Sequence, residues 1–238
     1  MYKAFMNVIK PVQFAKVQTK SNYRMVKKKD RGEIILYGVI GDSFWTEGIS
    51  AAKFRDDLKA LGDVKIIDLR INSDGGDVFD GKAMYNLLAD HPAKIIVHVD
   101  GLAASIASLI AMAGDEIRMG EGAYMMIHNP WGGAIGGSDD MRRMADLLDS
   151  VKDTVVNTYV ARTKNSKNKV SQWMDEETWM TAEEALKNGF ATFVSEPVRA
   201  AAAVITKPEM YKHLPSELRP NRAIAAKALA KVAALFKS

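Results

Sequence analysis

Ser105, His128 and the glycines at 75 and 76 are the residues of this chain whose types and settings suit covalent chemistry. The glycines close Ile71-Asn-Ser-Asp-Gly-Gly76, directly after an apolar run that reads as a strand. Glycine lets the backbone turn sharply there and aim N–H groups at a ligand, as an oxyanion hole requires. Ser105 stands in Asp100-Gly-Leu-Ala-Ala-Ser105-Ile-Ala-Ser108, at the first turn of a small-residue helix, near the positive end of its dipole. The N–H of the following Ile106 is placed there to help stabilise a developing oxyanion. Ser108 is the rival serine, but it lies one turn further in and should face differently. His128 ends the apolar run Met125-Met-Ile-His128, and strand ends in α/β folds are where catalytic groups gather. Each segment has a plainer reading too. Strand-Gly-Gly turns are common, alanine and serine serve close helix packing, and a lone histidine is often a satisfied core or edge residue. His98 within a strand, His91 before a proline and His213 in the tail are less suited to catalysis.

Alternating strands and helices must position these segments. EIILYGVI (33–40), KIIDLRI (65–71), KIIVHV (94–99) and AYMMIH (123–128) read as strands, with a shorter one near EIRM. Ser50 caps a helix through AAKFRDDLKALG that Gly62 stops; a second helix runs from Val78 to about Asp90, and a third covers 103–113. The longest, 138–163, should take Ser138 as its N-cap, with Asp139 and Asp140 suiting the positive end of the dipole. Its Met141, Met144, Leu148, Val151 and Val155 recur every three or four positions, which predicts one buried stripe. Thr181-Ala-Glu-Glu184 is a capping box opening a short helix that Gly189 ends. This alternation means βαβ units and an α/β fold.

The 238 residues suit one domain with appendages. The absence of cysteine excludes disulfides, thiol catalysis and cysteine-based zinc sites. No apolar run is long enough to span a membrane, and the N-terminal MYKAFMNVIKPVQF does not read as a secretory signal, so a cytosolic address is expected. There is no GxxxxGK[ST] phosphate loop, so the chain is not expected to hydrolyse ATP itself. The net charge of +4 is unevenly spread: residues 1–32 carry +8 and residues 197–238 carry +6, around a body of −10. The basic arms read as solvated extensions or as contacts for an acidic partner. No aromatic-interleaved basic patch points to nucleic acid.

In this order, the INS-x-GG turn, the GLAAS segment, MIHNP and the late W-M-T-A-E-E-A-L-x-x-G-F resemble the proteolytic subunits of the Clp protease (ClpP). The similarity covers roughly 33–195, between a basic N-terminal arm (1–32) and a basic Ala/Lys-rich C-terminal extension (197–238), with the peptidase domain at 33–196. DGLAASIASLIAMAGDEI, MMIHNPWGGA and MDEETWMTAEEALKNGF are most similar to phage-encoded, Clp-related head maturation (prohead) proteases. The resemblance implies the ClpP/crotonase-like spiral of ββα units with a long handle-type helix. It puts Ser105 at the nucleophile, His128 at the general base, and the amides of Gly76 and Ile106 at the oxyanion hole. The family acid falls at Glu177, two residues before Trp179, where aspartate is usual; Asp175 is the alternative acid. The chain departs from the family in carrying Asp74 where proline is usual before the glycine pair, and an inward carboxylate would oppose an oxyanion, so Asp74 is expected to face outward.

What the resemblance implies is a serine endopeptidase that needs no metal or cofactor. It assembles as a ring-like homo-oligomer stacked through the long helix, and cuts a protein substrate, a capsid or scaffold protein for a head maturation enzyme. Its setting is then the host cytoplasm, in association with the procapsid. A separate ATPase unfoldase is an admissible partner, although the N-terminal arm does not look like the segment that forms axial pore loops. The alternatives are a housekeeping Clp proteolytic subunit and, from other classes, a crotonase-fold acyl-CoA enzyme or a non-catalytic assembly module. Crotonases use no serine–histidine pair, and no G-x-S-x-G elbow surrounds Ser105 to suggest an esterase.

Overall fold

In Arg31–Tyr37 every second side chain is buried, among them Ile34 and Leu36, so the segment forms a strand with one face in the core. In the computed structural model, which describes residues 21–41, 48–196, 205 and 208–219, this strand is β2. It pairs antiparallel with β1 (Asn22–Lys28) through a turn at Lys29 and Asp30, where Lys29 adopts φ +59°. The sheet therefore begins at Asn22, inside the stretch that sequence alone assigned to a basic arm ending at 32. Residues 1–20 of that arm lie outside the described residues.

From β2 the sheet continues in parallel through β3 (Ile66–Ser73), β4 (Lys94–Ala104), β5 (Glu116–Gly120) and β8 (Phe193–Ser195). Two further strands leave this path: β6 (Tyr124–Ile127) pairs with the far end of β4, and β7 (Thr178–Thr181) runs antiparallel to β6. Helices α1 (Ala51–Leu61), α2 (Val78–Ala89) and α3 (Ile106–Ala111) pack against the sheet. Ser50 and Gly62 cap α1 as expected, and its buried Phe54, Leu58 and Leu61 contribute about 2 kcal/mol each by leaving water. Thr181 and Glu184 form the expected capping box of α6 (Ala182–Lys187). The sheet and its helices make the expected mixed α/β fold, with a long helix α4 (Ser138–Thr163) followed by α5 (Lys167–Asp175).

Two elements differ from their sequence reading in ways that matter. The third helix does not start at 103; β4 runs on through Asp100-Gly-Leu-Ala-Ala, and α3 begins only after Ser105. Strand pairing overrides the small-residue helix signal there, because Leu102, Ala103 and Ala104 find partners on β6. In α4 the N-cap is Gly137 rather than Ser138, its N–H donating to the Asp140 carboxylate at 2.8 Å. Only the C-terminal half of α4 is buried, at Val155, Val156, Thr158 and Tyr159. Met141 is 44% exposed, and Met144, Leu148 and Val151 are half-buried. The apolar stripe is real, but its Met144, Leu148 and Val151 border an open cleft instead of the packed core. Among the described residues no helix is long and apolar enough to cross a membrane.

Candidate active site

The site is made by three parallel strands that end together. β4 changes partner along its length, pairing with β5 through Ile96–Val99 and with β6 through Leu102–Ala104. Ala104 lies opposite Met126, so the residues just beyond the strands, Ser105 and His128, emerge side by side. On the other flank Ser73 of β3 is in register with Ala103, which brings the glycine turn to the same edge. Residues 23 apart in the chain meet because parallel pairing aligns their strand ends.

Ser105 occupies the break between β4 and α3 with φ +55° and ψ −128°, a conformation that stores about 1–3 kcal/mol in a non-glycine residue. Hydrogen bonds hold it there. Its N–H donates to the Met126 carbonyl at 2.9 Å, and its own carbonyl accepts from the Ser108 N–H at 3.0 Å and the Ser108 hydroxyl at 2.6 Å. Ser108 is fully buried and 2.8 Å from the Tyr159 hydroxyl. A serine hydroxyl has one proton, and Ser108 gives it to the carbonyl, so Tyr159 is the donor to Ser108. The rival serine is thus a support for the first.

The Nε2 of His128 lies 2.8 Å from the Oγ of Ser105, the separation of a nucleophile hydrogen-bonded to its base. Burial pushes the imidazole below its ordinary value of 6.5, and the Glu177 charge pulls partly the other way. His128 is therefore neutral, and free to accept a proton, at neutral pH.

Glycine is required at both positions of the turn. Gly75 has φ +99°, and a Cβ there would come within 2.8 Å of the Ser105 Cβ. Gly76 has φ +149°, and its Cβ would fall 2.0 Å from the Ile40 carbonyl oxygen. The bridge to Ile40 uses the Gly75 carbonyl and the Asp77 N–H, which leaves the Gly76 N–H out of the pairing. Ile106, as the first residue of α3, likewise has an N–H with no partner inside the helix. Both residues line, with Ser105, His128, Trp131 and Leu148, an open cleft of roughly 410 Å³ that runs along α4 between Met144 and Tyr159.

The two candidate acids part company. Asp175 is exposed and held by Lys152 and by the Asn129 amide, which donates at 2.8 Å; these contacts hold its carboxyl below the usual range. Glu177 is only 6% exposed and lies close enough for its charge to act on His128. Burial pushes this carboxyl up, but the N–H groups of His213 and Lys212, the Trp179 indole and the imidazole outweigh it, leaving it below the ordinary value. No direct hydrogen bond joins Glu177 to His128 among the described residues. Its influence on the histidine is electrostatic.

Asp74 does not face outward. It is 9% exposed, its carbonyl accepts from the Tyr211 hydroxyl at 3.0 Å, and its charge acts on that phenol. The C-terminal extension that reads as an appendage from 197 onward thus returns to the body: Ile205 and Leu214 are buried, and Tyr211 lies against His128 and Trp179. No motif in the sequence singles out Tyr159 or Tyr211. The one visible signal was the apolar cluster Met210-Tyr211…Leu214-Pro215 within an otherwise polar, alanine-rich tail.

A profile of the family described as Clp protease matches residues 20–197. The chain belongs to the Clp protease family. It is a serine-type peptidase of that family, a Clp-type proteolytic subunit. The chain is 31% identical over 166 residues to an ATP-dependent Clp protease proteolytic subunit of Leuconostoc citreum, covering 68% of this chain and 81% of that one. It is 32% identical to proteolytic subunit 1 of Leifsonia xyli, covering 58% and 72%, and 33% identical to the subunit of Streptococcus pneumoniae, covering 68% and 83%. The match begins at residue 20 and so takes in β1, as the sheet does. Membership of the Clp protease family leaves the crotonase-fold reading without support.

Proposed function

We propose that this Clp-family peptidase cuts polypeptides through Ser105, with His128 as general base and Glu177 as the acid. The observation that carries the reading is the 2.8 Å contact between Ser105 Oγ and His128 Nε2 at the head of an open cleft. His128 takes the hydroxyl proton as Oγ adds to the scissile carbonyl carbon. The Gly76 and Ile106 N–H groups receive the oxyanion, and the protonated imidazole gives its proton to the departing amine. Water then adds to the acyl-serine, again losing its proton to His128, and the acid product leaves with Ser105 restored. Glu177 stabilises the imidazolium through its charge. The apolar cleft, with Trp131 and Leu148 on its walls, suits apolar side chains beside the cut bond.

The decisive experiment is intact mass after exposure to a fluorophosphonate, on wild type and on Ser105→Ala. One adduct on wild type and none on the variant is expected; no adduct on an assembled wild-type sample would leave a non-catalytic assembly module as the better account.

The biological role we favour is head maturation of a phage, with a capsid or scaffold protein as substrate and the host cytoplasm or procapsid as setting. It is supported by the wording of the MMIHNPWGGA and MDEETWMTAEEALKNGF segments and by basic ends on an acidic body. A housekeeping role is the second reading, favoured by the relatives, all of them named as ATP-dependent Clp proteolytic subunits. Incubation with co-purified capsid and scaffold proteins, and separately with an unfolded protein plus a Clp ATPase, distinguishes the two by which one is cut. We further propose a ring-like homo-oligomer that covers the exposed first half of α4, and native mass spectrometry reads its stoichiometry.

A further inference from the structure

Residues 205 and 208–219 pack on the strands that carry the catalytic pair. Ile205 and Leu214 are buried together with Leu102 and Ala104 of β4 and Met126 of β6, the residue whose carbonyl receives the Ser105 N–H. The same segment takes hold of Glu177. This residue sits at φ +52°, and both oxygens of its buried carboxylate are occupied. Oε1 accepts from the His213 N–H at 2.9 Å and the Trp179 indole at 3.2 Å, and Oε2 accepts from the Lys212 N–H at 3.0 Å. Two of the three donors are backbone groups of the C-terminal segment, and among the described residues no basic side chain is bonded to it. A buried carboxylate stripped of such donors protonates or swings out to water.

Tyr211 completes the attachment. Its ring lies 6.2 Å from the His128 ring and 5.4 Å, edge to face, from that of Trp179. Its hydroxyl donates to the carbonyl of Asp74 at the start of the glycine turn. Burial pushes the phenol up, so it stays neutral and able to donate. Among the described residues, Ser105, Glu177 and Tyr211 face His128, with Asp74 beyond the tyrosine.

We propose that residue 205 and residues 208–219 are a built-in part of the catalytic centre, in which the Lys212 and His213 N–H groups hold Glu177 beside His128 and Tyr211 braces the imidazole against the glycine turn. The segment acts through Glu177 and His128, so its members are positioning residues. Removal of the chain beyond Arg219 leaves the centre intact, whereas a cut between Glu196 and Arg219 disables it. This rests on the reading of Ser105 and His128 as the catalytic pair.

The test compares wild type, chains ending at Arg219 and at Glu196, Glu177→Gln, Lys212→Pro, Lys212→Ala and the double variant Glu177→Gln/Lys212→Pro. Lys212→Pro deletes one N–H while keeping Ile205, Tyr211 and Leu214 in the chain, so it remains informative where the shorter chain misfolds. Lys212→Ala keeps the N–H. The readouts are the fluorophosphonate labelling rate against pH and the titration of the His128 ring by NMR. The chain ending at Arg219 should match wild type within about twofold, and Lys212→Ala, which loses the side chain alone, should lose far less than Lys212→Pro. Lys212→Pro and Glu177→Gln should each label roughly tenfold more slowly or worse, with the His128 midpoint lowered. Their effects should not add in the double variant, because both act through one carboxylate. Additive losses, or a Lys212→Pro enzyme with wild-type rate and midpoint, overturn the proposal. A wild type that takes no label sinks the serine-peptidase reading instead, and the titration then decides this one: a midpoint lowered in Lys212→Pro as in Glu177→Gln supports it, and an unmoved one overturns it.

Discussion

Tyr211 sits across the ring of His128 although 83 positions separate them, and its hydroxyl is bonded to a carbonyl of the opposite turn. Tyr211→Phe keeps the ring and loses that bond alone. The variant should be less stable by about 1 kcal/mol in chemical denaturation.

As the proposed general base, His128 must be neutral to accept the Ser105 proton, and it would be lost as a base when pH falls through its pKa. Burial sets that pKa below 6.5 despite the opposing charge of Glu177. The acid limb of kcat/KM should therefore have its midpoint below pH 6.5. A midpoint above that value would contradict the buried imidazole.

Glu177 and Asp175 can be told apart directly. Asp175→Asn removes solvent-facing contacts to Lys152 and Asn129 and should leave peptide cleavage within about twofold of wild type. Glu177→Gln removes the charge felt by His128. Without a direct hydrogen bond to break, the loss in kcat should be on the order of ten- to a hundredfold, less than for a triad acid bonded to its histidine. A larger loss for Asp175→Asn would reverse the assignment.

Gly76→Ala asks a Cβ to occupy the place of the Ile40 carbonyl at a positive φ. It should destabilise the chain by about 1–3 kcal/mol and lower kcat by about a hundredfold or more as the N–H turns away. Thermal melting and peptide-cleavage assays check both.

The buried chain Tyr159–Ser108–Ser105 predicts a graded pair. Ser108→Ala removes a bond to the strained Ser105 carbonyl and leaves the Tyr159 hydroxyl unpaired, so it should cost about 2 kcal/mol. Tyr159→Phe leaves the Ser108–Ser105 bond in place and should cost about 1 kcal/mol with labelling of Ser105 nearly unchanged. Denaturation curves that rank the two the other way would show that Tyr159, not Ser108, carries the support.

Much of this enzyme is legible in the chain because it depends on local order. Alternation marks β2, Ser50 and Gly62 bracket α1, Thr181 and Glu184 cap α6, and the spaced motifs point to the family whose profile the chain matches. What local order does not contain is which partner each segment meets. Pairing with β6 drew Leu102–Ala104 into a strand against their helix signal, and the stripe on α4 kept its period but not its burial. The family resemblance puts the acid at Glu177, with Asp175 two positions away as the alternative, on motif spacing alone. Packing separated them, turning one toward Lys152 in solvent and closing the other under a C-terminal segment whose N–H groups, 35 and 36 positions away, hold it ionised beside His128.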